Sequence, residues 1–104
     1  MNPNTATTYQ IVLGREIEIL NRRVSSIDLD RFIEADVLPR FDSFTVAHCV
    51  GYWKGKPEDV CVITILSEDY YDGISINKIA ESYKKKFYQD AVLVNTFSCS
   101  PNLV

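Results

Sequence analysis

Residues 44–66 read Phe-Thr-Val-Ala-His-Cys-Val-Gly-Tyr-Trp-Lys-Gly-Lys-Pro-Glu-Asp-Val-Cys-Val-Ile-Thr-Ile-Leu. Two β-rich runs flank Lys54-Gly55-Lys56-Pro57, a turn by composition. In the first run Phe44, Val46, His48, Val50 and Tyr52 share one face, and Thr45, Ala47, Cys49, Gly51 and Trp53 share the other. The second run, Val60 to Leu66, is β-branched and apolar on both sides. The two runs predict an antiparallel hairpin. With the turn centred on Gly55, Cys49 lies opposite Cys61 and His48 opposite Val62; a one-residue shift of the centre changes those pairs.

Working outward, Tyr9, Ile11 and Leu13 alternate with Gln10 and Val12, which predicts a strand closing near Gly14. Glu16 to Leu20 alternates again, as a bulged extension or an exposed flap. Ser25 and Ser26 then precede Leu29, Phe32, Ile33 and Val37, an apolar stripe at helical spacing. Pro39 ends that helix. Beyond the hairpin, Ser67 to Gly73 is an acidic loop holding Tyr70 and Tyr71. A second helix starts near Ser75, with Ile76, Ile79, Ala80, Tyr83 and Phe87 on one face, and Ala91 to Ser98 is the last strand. The expected organisation is an N-terminal disordered arm at 1–8, one domain at 9–99 and a loose tail at 100–104.

The order strand, helix, strand, strand, helix, strand predicts an α+β, ferredoxin-like βαββαβ domain. It has a four-stranded antiparallel sheet with both helices on one face. A sheet wet on its other face should alternate more cleanly than residues 44–53 and 60–66 do. That face is therefore expected to be covered. The expected cover is a second copy, giving a homodimer through the sheet face. Coverage by the Glu16–Leu20 flap and the Tyr70–Tyr71 loop within one chain is the alternative.

The chain has 104 residues, 14 acidic against 11 basic side chains and a formal charge of -3, which opposes bulk attraction to nucleic acid or anionic membrane. The RNA-recognition module shares this topology, but it stacks bases on aromatics of its third strand, and Val60 to Leu66 has none. No run of apolar residues reaches membrane-spanning length. The first eight residues lack a basic and an apolar segment, so the expected location is the cytoplasm. Three cysteines, at 49, 61 and 99, make an odd set without a Cys-x-x-Cys pair and suit reduced thiols.

Leu13-Gly14-Arg15, Leu38-Pro39-Arg40-Phe41, Phe44-Thr45-Val46, Gly51 with Trp53, and Tyr83-Lys84 with Phe87 and Gln89 form an ordered set over roughly residues 9–94. The set resembles a group of small bacterial proteins catalogued only as a domain of unknown function. That resemblance implies a ferredoxin-like fold and no defined activity. Tyr52 stands where the group usually has Gln, and Lys56 precedes Pro57 where an acidic residue is common.

No catalytic motif identifies a reaction, and no metal or other cofactor is implied. His48, the only histidine, is a candidate base or simply a satisfied histidine. Residues 48 and 49 point to opposite faces, which opposes a His48–Cys49 pair or a zinc set with Cys61 and Cys99. Arg15 suits an anion, and Arg40 suits either an anion or the end of its helix. One functional reading is a non-catalytic interaction or regulatory module that recognises a protein partner through Lys84, Lys85 and Lys86. The other is a dimeric α+β barrel that binds or transforms an aromatic or acidic metabolite. There Arg15 would hold the anion, His48 would polarise it, and Tyr52 and Trp53 would pack on it.

Overall fold

Strand β1 (Ala6–Gly14) is the second strand of a four-stranded antiparallel sheet in the computed structural model, which describes residues 5–104. It pairs on one side with β5 (Lys56–Ser67) and on the other with β6 (Leu93–Cys99); β4 (Thr45–Trp53) pairs with the free side of β5. The sheet order is β4-β5-β1-β6. The strand begins at Ala6, so Ala6 to Thr8 of the expected arm are sheet. The rest of that arm, residues 1–4, lies outside the described residues.

Past Gly14 the chain forms a flap. Strands β2 (Glu16–Ile17) and β3 (Arg22–Arg23) pair around a short 3-10 turn at Glu18–Leu20. Ile17 is tucked into the core, while Ile19 and Leu20 are exposed. Helix α1 (Ser26–Phe32) follows, and the Ser25 hydroxyl accepts from the Asp28 N–H at 3.1 Å, the expected N-cap. The helix then widens into a π-helical turn at Ile33–Val37, where the Leu38 N–H reaches back to the Ile33 carbonyl. Pro39 follows immediately and cannot continue the ladder. Helix α2 (Asp72–Lys86) starts three residues before the expected Ser75. Its first turn is held by the Ser67 hydroxyl donating to Asp72 Oδ2 at 2.6 Å, a loop bond that hydrophobic periodicity cannot register.

The core lies between the helices and one face of the sheet. Ile11 and Leu13 from β1 and Cys61, Ile63 and Ile65 from β5 meet Leu29, Phe32, Val37, Ile76, Ile79 and Tyr83. Full burial of each aliphatic side chain contributes about 1.5–3 kcal/mol. Phe32 and Tyr83 meet edge to face at 5.1 Å, and Tyr83 lies 4.8 Å from Phe87. The Ser82 hydroxyl donates to Asp36 at 2.8 Å and ties α2 to the π-helical turn.

The hairpin register departs from the expectation by one residue. Trp53 pairs with Lys56, so the loop is Lys54-Gly55, both at positive φ (49° and 78°). That is the two-residue turn whose twist matches the flanking strands. His48 therefore faces Cys61, and Cys49 faces Val60. Cys49 and Cys61 lie on opposite faces of the sheet, and no cross-strand thiol pair forms.

Candidate functional site

The expected ligand set of Arg15, His48, Tyr52 and Trp53 is not brought together. Arg15 follows Leu13 onto the helix side of the sheet and is buried. Its Nε and Nη2 both donate to the Val24 carbonyl, at 3.1 and 2.8 Å. Backbone bonds from the Val24 N–H to the Arg15 carbonyl and from the Arg15 N–H to the Asp59 carbonyl complete the tie. The guanidinium thus anchors the flap and the entry to α1. His48 is exposed on β4, two strands from β1, a backbone separation of about 10 Å at ordinary strand spacing. Tyr52 and Trp53 are neighbours in one strand and point to opposite faces, Tyr52 with His48 and Trp53 away from it.

Two buried groups near Arg15 are pushed off their ordinary ionisation. Burial raises the Cys61 thiol from 9.0 to about 11, against the Arg15 charge, which pulls it down. Burial also raises the Tyr83 phenol, again with Arg15 opposing. Both groups stay neutral near pH 7, so Cys61 is no nucleophile there. Among the described residues no three His, Cys, Asp or Glu side chains come together in a metal-binding arrangement.

Lys84, Lys85 and Lys86 do not form one patch. Lys86 Nζ is 2.6 Å from Asp36 Oδ2 and lies over the Phe32 ring at 5.7 Å. Lys84 is half-buried. Lys85 is exposed and lines a shallow groove along α2 with Ile74, Asn77, Lys78, Glu81 and Ser82. Consecutive helical residues diverge by about 100°, which separates the three ammonium groups. Arg40 is exposed in the turn after the π-helical segment.

The sheet face away from the helices has a different character. Strand register puts Thr45, Ala47, Cys49, Gly51 and Trp53 of β4, and Lys56, Glu58, Val60, Val62, Thr64 and Leu66 of β5, on it. Ala6, Thr8, Gln10, Val12 and Gly14 of β1 and Leu93, Asn95, Phe97 and Cys99 of β6 complete it. Leu66, Leu93 and Phe97 are 51, 57 and 46% exposed and Trp53 is 69% exposed. Tyr70 and Tyr71 are exposed as well and meet each other edge to face at 5.5 Å. Within the strands the only charges on this face are Lys56 and Glu58, both near the hairpin end.

At that end lies a group of residues that forms no catalytic motif in the sequence. A Cβ on Gly14 would stand 2.6 Å from Glu58 Oε1 and 3.3 Å from Gln89 Oε1. Gln89 Nε2 donates to the carbonyls of Glu16 and Phe87, at 2.9 and 3.0 Å. The Glu16 N–H reaches Glu58 Oε1 at 3.5 Å. Tyr83 Oη donates to the Gly14 carbonyl at 2.7 Å. Gly14, Tyr83 and Gln89, three residues of the family-like pattern, thus meet at the end of β1. Glu58 sits in the stretch between hairpin turn and strand, where sequence alone reads only a turn flank.

Among solved structures, a phage S-adenosylmethionine lyase in complex with S-methyl-5'-thioadenosine is similar in fold. It is 15% identical, with a TM-score of 0.57, over 92% of this chain and 90% of that one. A de novo designed protein, Foldit4, is 15% identical with a TM-score of 0.45, over 94% and 98%. No curated protein matches the chain. The family described as protein of unknown function (DUF3574) matches residues 8–100, from the third residue of β1 through β6 with both helices, and the chain belongs to that family.

Proposed function

We propose that this chain is a non-catalytic interaction module that works as a homodimer through its open sheet face, on a ferredoxin-like βαββαβ scaffold. The strand order β4-β5-β1-β6, with helices after β1 and β5, supports that scaffold. The observation that carries the function is the composition of the open face. A solvated sheet face normally alternates in charged and polar residues, whereas this one presents Val12, Val62, Leu66, Leu93 and Phe97 with charges confined to one end. Charge depletion at the centre with an aromatic contribution is the signature of an interface core. Four strands at about 4.8 Å and some seven residues at about 3.3 Å give a flat footprint of roughly 450 Å² per copy. Side-chain relief carries this toward the ~800 Å² per partner of a standard interface.

The non-catalytic part of the reading is supported by the engagement of Arg15 with Val24 and its separation from His48. Lys84 and Lys85 are the remaining members of the proposed partner-facing lysines. A cytoplasmic location is supported by three free thiols, with Cys49 exposed. The test is sedimentation equilibrium of the wild type beside Leu93→Asp and Phe97→Asp. The wild type should sediment as a dimer at micromolar concentration, and both variants as folded monomers by circular dichroism. A monomeric wild type overturns the proposal.

A further inference from the structure

We infer that the trough formed by Gly14, Gly51, Glu58 and Gln89 on the open face binds an organic cation, an ammonium or guanidinium group carried on an apolar or aromatic body. The trough is formed within one chain at the charged hairpin end of the face, eight residues along β5 from Leu66, so it is complete without a second copy.

The Glu58 carboxylate lies where two neighbouring strands offer no side chain. Gly51 is its direct partner on β4. On the other side Glu58 Oε1 occupies the space of a Gly14 side chain, 2.6 Å from the position of its Cβ. Any other residue at 14 would displace the carboxylate. Two glycines flanking one acid leave bare backbone on both sides of it, and Val60, nearly buried on the same face, forms an apolar wall.

The second acceptor is oriented by chemistry. Gln89 Nε2 faces two carbonyl oxygens, those of Glu16 and Phe87. Carbonyls accept only, so the group between them must be the NH₂, and the Oε1 turned toward Gly14 is an acceptor. Glu58 Oε1 and Gln89 Oε1 therefore lie as two neighbouring acceptor oxygens beside Gly14. Among the described residues the single donor reaching that carboxylate is the Glu16 N–H, at a long 3.5 Å. The ion pairs among the described residues, Arg23–Asp59 and Lys86–Asp36, leave Glu58 without a cation. Two neighbouring, half-buried acceptors without a cation suit a ligand that brings both hydrogen-bond donors and positive charge.

Trp53 lies on the same face, two residues from Gly51 along β4. The ammonium of Lys54 stands 5.8 Å from its ring centroid, so the indole already faces a cation. A divalent metal is the wrong occupant, because Ca²⁺ and Mg²⁺ take about six or more oxygen ligands and one carboxylate with one amide oxygen falls far short.

The test uses phenethylammonium as the cationic probe and 2-phenylethanol as its neutral counterpart. Trp53, the only tryptophan, is the fluorescence reporter. The wild type should show saturable perturbation by the cation and none by the alcohol at equal concentration. Glu58→Gln should weaken the cation by about tenfold or more, as expected for a lost charge-assisted contact. Gly51→Ala, whose Cβ would meet only Val60 side-chain atoms at 3.4 Å, keeps the fold and should also weaken binding by narrowing the trough. No saturable binding to the wild type, equal binding by Glu58→Gln, or equal binding of the alcohol overturns the inference. Sedimentation of the same samples separates this result from the dimer proposal.

Discussion

The Tyr83 phenol donates to the Gly14 carbonyl at 2.7 Å, joining the last third of α2 to the end of β1 across 69 residues of chain. Glycine at 14 leaves room for Glu58 on the opposite face of the sheet, while its carbonyl is claimed from the helix side. One residue thereby links the buried core to the open face. The Arg15 tie to Val24 begins at the next position.

Replacing Tyr83 with Phe keeps the ring contacts with Phe32 and Phe87 and removes only the hydroxyl. The Gly14 carbonyl then loses its side-chain donor. Stability should fall by about 1–2 kcal/mol, the cost of leaving a part-buried group unpaired. Urea denaturation should read this as a lower midpoint at unchanged slope.

The hairpin turn offers the opposite sign. Lys54 sits at φ 49°, a region that asparagine enters more readily than lysine. Lys54→Asn should raise stability by a few tenths of a kcal/mol, up to about 1 kcal/mol. Gly55→Ala, at φ 78°, should lower it by about 1–2 kcal/mol. Thermal melts of the two variants should bracket the wild type.

The cysteines should behave oppositely toward reagents and pH. Exposed Cys49 should react promptly with an aromatic disulfide, and buried Cys61 only as the protein unfolds. The folded-state value for the Cys61 thiol, about 11, lies above its ordinary 9.0, so the unfolded chain releases the proton first. Its contribution is complete below pH 9.0 and declines as pH rises through about 11. Two pH units correspond to about 2–3 kcal/mol. Tyr83 shifts in the same direction, so the steeper alkaline loss of stability in the wild type than in Cys61→Ala isolates the thiol. Equal slopes would contradict the assignment.

Periodicity made the elements legible. The alternation at Tyr9–Leu13 and the stripe of Ile76, Ile79, Ala80 and Tyr83 both point to the core. Ser25 as the cap of α1 was legible as well, because capping is local chemistry. The two-sided apolar character of Val60–Leu66 was visible too, and it corresponds to a β5 whose inner face is core and whose outer face is half-open. The hairpin register was not legible, since Lys-Gly-Lys-Pro admits more than one turn centre. A one-residue change moved Cys61 from Cys49 to His48.

The composition, the order of the elements and their inward faces followed from this sequence alone, because hydrophobic burial and helix capping act over a few residues and write themselves into spacing. The fate of Arg15 and the meeting of Gly14, Glu58 and Gln89 were decided only by the tertiary structure. The Arg15 guanidinium reaches a carbonyl nine residues on, while Gly14, Glu58 and Gln89 lie 31 to 75 positions apart, and nothing in local sequence specifies which carbonyl a guanidinium finds or which acid settles over a glycine.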